Sequence, residues 1–168
     1  MDMESLSRTR SIAITSIFVA FAVMLSFLER LLPAPVPLPG IKLGLANIIV
    51  IIFLYRFNLR EAFKVQALRI LLFSALFGGI SSALYSFAGG MLSLGVMALF
   101  KKPGIFSVIG VSIVGGVFHN IGQLAIAALV VQSVGLLGFL PALIISGQIT
   151  GFVTGLVAYY LLSRLKIE

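Results

Sequence analysis

The chain has 168 residues, of which 60% are hydrophobic and only 10% charged, with a mean hydropathy of +1.19, whereas a soluble domain is about one quarter charged. That balance excludes a water-soluble fold and points to a polytopic membrane protein: at about 20 residues per span, five to seven helices use up the length and leave little for a catalytic domain. Cysteine is absent, which removes disulfides, thiolate chemistry and cysteine metal sites, and the net charge of +7 falls at the ends of apolar segments instead of along a polar stripe, so nucleic acid is not an expected partner.

Taken in chain order, residues 1–10 form a short charged segment, and residues 11–32 the first apolar run. The run exceeds the ~7 to 15 residue core of a signal peptide and no small-x-small site closes it, so it is read as a retained helix. It stops at Pro33-Ala34-Pro35-Val36-Pro37-Leu38-Pro39-Gly40, where alternating prolines favour a stiff, extended loop. A shorter second helix is predicted over 43–55, then a polar turn over 56–64. Helices three and four are predicted over 65–77 and 80–100, separated at Gly78-Gly79. Lys101-Lys102-Pro103-Gly104 is the plainest turn. Helix five is predicted over 105–131 and helix six over 139–162. The expected architecture is all-α, a single six-transmembrane-helix bundle.

Lysine and arginine bias orients it. With the N-terminus inside, Arg8, Arg10, Arg56, Arg60, Lys64, Lys101, Lys102, Arg164 and Lys166 fall at cytoplasmic ends of helices, against Arg30 and Lys42 outside. Both termini are therefore expected in the cytoplasm and the chain in the cell membrane. Gly147, Gly151 and Gly155 recur every fourth residue and form a flat strip suited to close helix packing, as do Ser16 with Ala20 and Ala22 with Ser26 on helix one.

Polar groups inside a membrane are expensive: an ionisable residue near the centre costs at least about 2.5 to 3.5 kcal/mol, so such groups usually face a cavity or a partner. Glu29 and Arg30 end helix one, Lys42 and Asn47 begin helix two, His119, Asn120 and Gln123 lie in the outer half of helix five, and Gln148 sits near mid-depth on helix six. Four helices thus bring polar residues to the same outer half, and these eight are the expected substrate-binding set. Each also has a plainer reading, as an interfacial anchor or an interhelical hydrogen bond. Arg69 sits close to Lys64 and reads either as a snorkelling side chain or as the partner of a carboxylate. Catalysis finds little support, because Glu29 and Glu61 are the only acids away from the termini and no metal-ligand spacing, phosphate loop or nucleophile constellation occurs. No catalytic residue, metal or cofactor is expected.

Several stretches carry a resemblance over almost the whole chain: Pro39-Gly40-Ile41-Lys42-Leu43-Gly44-Leu45-Ala46-Asn47, Ala67-Leu68-Arg69, Gly89-Gly90-Met91-Leu92-Ser93, Gly115-Gly116-Val117-Phe118-His119-Asn120-Ile121-Gly122-Gln123, and Leu140-Pro141-Ala142 with Ser146-Gly147. They resemble the membrane family described as "Gx transporter" or "heptaprenyl diphosphate synthase component I". That family is similar in turn to the S components of energy-coupling factor (ECF) transporters, small six-helix proteins that take up vitamins or their precursors. The resemblance implies a substrate pocket in the outer half beneath the proline-rich loop, driven by a transmembrane coupling protein and cytoplasmic ATPases. Helix one would dock on the coupling protein through Ser16 and Ala20, where S components often show an Ala-xxx-Ala motif. Lys42, Arg30 and His119 suggest an anionic or phosphate-bearing ligand, and the resemblance implies a small vitamin-like or cofactor/isoprenoid precursor.

The synthase description makes a rival claim. Prenyl diphosphate synthases resemble one another in aspartate-rich motifs, since magnesium needs clustered carboxylates, and this chain has the single aspartate Asp2. The alternative is a membrane partner or scaffold of a prenyl diphosphate, quinone or flavin-linked electron-transfer system, without haem or iron-sulfur ligands of its own.

Overall fold

The computed structural model describes residues 8–31, 44–102 and 104–164. These form α1 (Arg8–Leu31), α2 (Asn47–Arg56), α3 (Leu59–Phe73), a π-helical turn (Ser74–Gly78), α4 (Gly79–Lys101), α5 (Val108–Val131), a 3-10 turn (Val134–Phe139) and α6 (Leu140–Arg164). There is no strand among the described residues. The fold is all-α.

Four stretches, Thr9–Leu31, Leu59–Lys101, Val108–Val131 and Val134–Arg164, are long and apolar enough to cross a membrane. Leu71, Ile80, Leu99, Leu129 and Ile149 are among many large apolar side chains on the outside. Such a surface matches hydrocarbon and not water, so this is a membrane protein. The expected six spans are not reached. The ten residues of α2 extend only about 15 Å against a hydrocarbon core of about 30 Å. Helical structure also continues without a gap through Gly78 and Gly79, so that α3 and α4 form one stretch and the described residues hold five helical stretches of ten residues or more. Within that stretch Gly79 has φ +68°, a left-handed conformation that glycine adopts without steric cost. Gly90 of α4 packs on Gln66 and Ile70 of α3, so the chain doubles back there.

The polar segment expected as a turn is largely helix. Asn58 caps α3, its side chain accepting from the Glu61 backbone N–H at 3.0 Å, which satisfies one of the orphan donors at the helix start. Apolar all round, α2 is accordingly buried on every side: Asn47 to Leu54 are all buried. It lies antiparallel to α1, with Phe18 meeting Phe53 edge-on at 5.2 Å.

Glycine sets the second half. Gly147, Gly151 and Gly155 all face α5, and a methyl at Gly151 would lie 2.7 Å from the Ile113 Cα. Ser112 and Thr154 hydrogen-bond across the same seam at 3.1 Å. On the other side of α5, Gly122 packs on the backbone of Ala88 and Gly89 in α4. Side chains at these points would force the helices apart.

Charge is segregated along the bundle. The Lys101 ammonium donates to the Leu54 carbonyl and lies 5.0 Å from the centre of the Tyr55 ring. Tyr55, Phe100, Val108 and Leu161 pack on one apolar cluster, so the end of α2 and α4 and the start of α5 share one end of the molecule with the end of α6. Arg56, Arg60, Lys64, Lys101, Lys102 and Arg164 gather there, while Arg30 is at the other end, donating to the Phe77 carbonyl.

Candidate functional site

Inside this apolar bundle runs a polar seam. On α1, Ser26 and Glu29 are three residues apart and face inward, both buried. On α3, Gln66 and Arg69 have the same spacing and are also buried. The Arg69 guanidinium joins the two helices, donating through Nη1 to Ser26 Oγ at 3.2 Å and through Nη2 to Gln66 Oε1 at 2.8 Å. The Ser26 hydroxyl in turn donates to the Ala22 carbonyl at 2.9 Å. Glu29 acts electrostatically on Arg69 and accepts a hydrogen bond from the Gly44 backbone N–H at the entry to α2.

The seam continues through two adjacent glycines of α4. Gly90 packs on the Gln66 amide, and a methyl at Gly89 would lie 2.7 Å from Gln123 Cγ and 3.2 Å from His119 Nδ1 on α5. Gly44 closes the circuit, lying against the Asn47 amide and the His119 ring. Five segments therefore meet at one place. Bare backbone at Gly89-Gly90 is what lets polar side chains from α3 and α5 approach α4 from opposite sides.

This seam is richer in polar atoms than its own bonds consume. Gln66 Nε2, Arg69 Nε, Asn47 Oδ1 and, one turn beyond Gly89 on α4, Ser93 Oγ are buried and have no hydrogen-bond partner among the described residues. Buried polar groups are almost always satisfied, and leaving one without a partner costs about 1 to 3 kcal/mol. Gln66 Nε2 and Arg69 Nε are donors only, which suits a ligand rich in acceptors.

The structure brings together Glu29, Asn47, His119 and Gln123 of the residues expected from the sequence. Asn120 points the other way, donating to the Leu143 carbonyl on α6 at 2.9 Å, an interhelical tie. Gln148 is exposed on α6 and lies outside the seam. Arg30 is exposed at the rim, and Lys42, with the proline-rich loop, lies outside the described residues. Ser16 and Ala20 are exposed on α1. Sequence reasoning missed Ser26, Gln66 and Ser93 and left Arg69 without a role. Arg69 stands ten residues into α3, about 15 Å along its axis, as far from the charged end as a midplane group would be.

The model of the family described as heptaprenyl diphosphate synthase component I matches residues 18–161. The chain belongs to that family. Its match begins within α1 and ends within α6, so all the residues of the seam fall inside it. No curated protein matches the chain.

Proposed function

We propose that this protein is a non-catalytic membrane component of a prenyl diphosphate system, and that its polar seam binds the charged head of an anionic precursor. The observation that carries this reading is the buried Arg69, fixed by Ser26 and Gln66, with its own Nε and Gln66 Nε2 left as donors. An arginine inside the membrane is a functional site by default, since its burial is costly. A guanidinium pairs with phosphate through parallel N–H bonds. The family description supplies the prenyl diphosphate context. Chemistry on the diphosphate belongs to a partner subunit. Here Glu61 is engaged by Lys64 at 2.6 Å and Glu29 by Gly44, and the described residues hold no clustered carboxylates for magnesium.

The basic end is the cytoplasmic one by the positive-inside rule, which sets both termini in the cytoplasm of a cell membrane and the doubled-back α3 and α4 as separate spans of a six-helix bundle. A second reading, a substrate-binding component of an ECF-type uptake system, is favoured by Ser16 and Ala20, which stand exposed on one face of α1 where a coupling protein would dock. Its cargo would be a vitamin-like or cofactor precursor.

Native mass spectrometry of the protein purified with its membrane partners distinguishes these readings. A retained phosphorylated prenyl compound, lost in Arg69→Gln and His119→Ala, together with a co-purifying prenyl synthase subunit, is the expected result. Co-purification with a coupling protein and ATPases would favour uptake. A protein that retains nothing and binds no prenyl diphosphate would overturn the head-group site.

A further inference from the structure

We infer that the groove between α1 and α3 holds the apolar tail of the same amphiphile, which enters sideways from the bilayer with its head at Arg69. This rests on the head-group reading above. The groove encloses about 420 Å³, within the roughly 300 to 1,000 Å³ of small-molecule sites. One wall is Ala20, Val23, Met24 and Phe27 of α1, the other Leu72 and Leu76, with Phe77 at one end. None of these side chains carries a hydrogen-bond donor and the Met24 thioether is only a weak acceptor, so the groove suits hydrocarbon.

Continuity with the seam says which hydrocarbon. Val23 precedes Ser26 by three residues and Leu72 follows Arg69 by three, a spacing that makes side chains neighbours on a helix. The Ser26–Arg69 bond at 3.2 Å therefore lies within one turn of a groove-lining residue on each helix. The groove is thus the apolar surface beside Arg69 that the tail would follow. Phe27 stacks on Phe77 with ring centres 4.9 Å apart, and Arg30 donates to the Phe77 carbonyl, so the groove is closed at this end. A partner helix is a poor occupant. Ala20 to Phe27 extends only about 10 Å along α1, against the ~30 Å over which a spanning helix would run.

The test uses the full chain in nanodiscs of phosphatidylcholine and a short-chain prenyl diphosphate bearing a diazirine at the tail end. Photolabelling is expected on the peptides containing Met24 and Leu72 to Leu76. Unlabelled prenyl diphosphate is expected to compete, inorganic diphosphate only weakly because it fills the head site alone, and the corresponding prenyl alcohol not at all. Leu76→Trp, and separately Ala20→Trp, fill the groove at residues that are not in the seam. Each should weaken prenyl diphosphate binding about tenfold, the loss of roughly 1.4 kcal/mol, with no change in unfolding temperature. Labelling that the alcohol competes equally well would mean that bilayer hydrocarbon fills the groove. Unchanged affinity in both tryptophan variants would overturn the tail site and leave the head site standing. Absence of any prenyl diphosphate binding would overturn both.

Discussion

Arg69 and Ser26 meet across the parallel helices α1 and α3, the guanidinium donating to a hydroxyl that itself donates to the Ala22 carbonyl. The bond links the ends of a relay in which each group is oriented by the next. Ser26→Ala removes an acceptor from a buried cation, and a hydrogen bond to a charged group is worth about 1.5 to 3 kcal/mol. Arg69→Met removes the cation with its bonds to Ser26 and Gln66 and its electrostatic action on the buried Glu29, so it is expected to cost more than Ser26→Ala. The Arg69→Met, Glu29→Gln double variant is expected to regain much of that loss. Thermal unfolding of the four proteins in one detergent measures this, and a double variant no more stable than Arg69→Met alone would show that the two charges do not act on each other.

Close approach of α5 and α6 predicts unequal tolerance of alanine. At Gly151 an added methyl would meet the Ile113 backbone at 2.7 Å, whereas at Gly95 nothing lies within 4 Å. Gly151→Ala must push two helices apart and is expected to destabilise by about 1 to 3 kcal/mol, as overpacking does. Gly95→Ala is expected to be neutral or to stabilise by up to about 1 kcal/mol through helix propensity. Denaturation of the two variants in parallel decides it.

Lys101 is a cap supplied from another helix. Its ammonium satisfies the Leu54 carbonyl near the end of α2 and lies over Tyr55. The free carbonyls and negative dipole end of a helix favour a cation there. Lys101→Met should cost about 1 kcal/mol, and Lys101→Arg, which keeps the charge, should restore most of it. Equal losses for the methionine and arginine variants would mean that side-chain fit, not charge, is what matters.

Much of this arrangement was legible in the sequence, and what was not has a common cause. The glycine strip on α6 follows from spacing, because a fixed helical period turns sequence separation into a shared face, and the common depth of Glu29, Asn47, His119 and Gln123 follows from counting residues along each span. Arg69 did not follow, since its depth depends on where α3 begins. With a turn expected through residue 64, Arg69 stood near the helix end, where a snorkelling arginine is ordinary. The Asn58 cap starts α3 at Leu59, which sets Arg69 well inside and, five residues past Lys64, about 140° around the helix from it. The Asn58-x-x-Glu61 pattern was the signal that would have fixed this. Ser26, Gln66 and Ser93 are common in packed helices, and only the neighbours that tertiary structure brings distinguish them from packing residues. The same limit explains the span count, which rests on α2 and on the path through Gly79.

That path yields a topological prediction, made simple by a chain without cysteine. If α3 and α4 are separate spans, the turn at Ser74–Gly78 and the 3-10 turn at Val134–Phe139 lie on the side opposite the basic end. Single cysteines at Arg60, Lys102 and Arg164 are expected to react with a membrane-impermeant maleimide only after the cells are opened. Cysteines at Gly79 and Gly135 are expected to react in intact cells. The positive-inside rule fixes the expected sign, with the basic end on the cytoplasmic side. Reaction of the Gly79 and Lys102 positions from the same side would mean that α4 does not cross, and the six-helix topology would fail. Reaction of Arg60 and Lys102 in intact cells, with Gly79 protected, would keep the spans and invert the orientation.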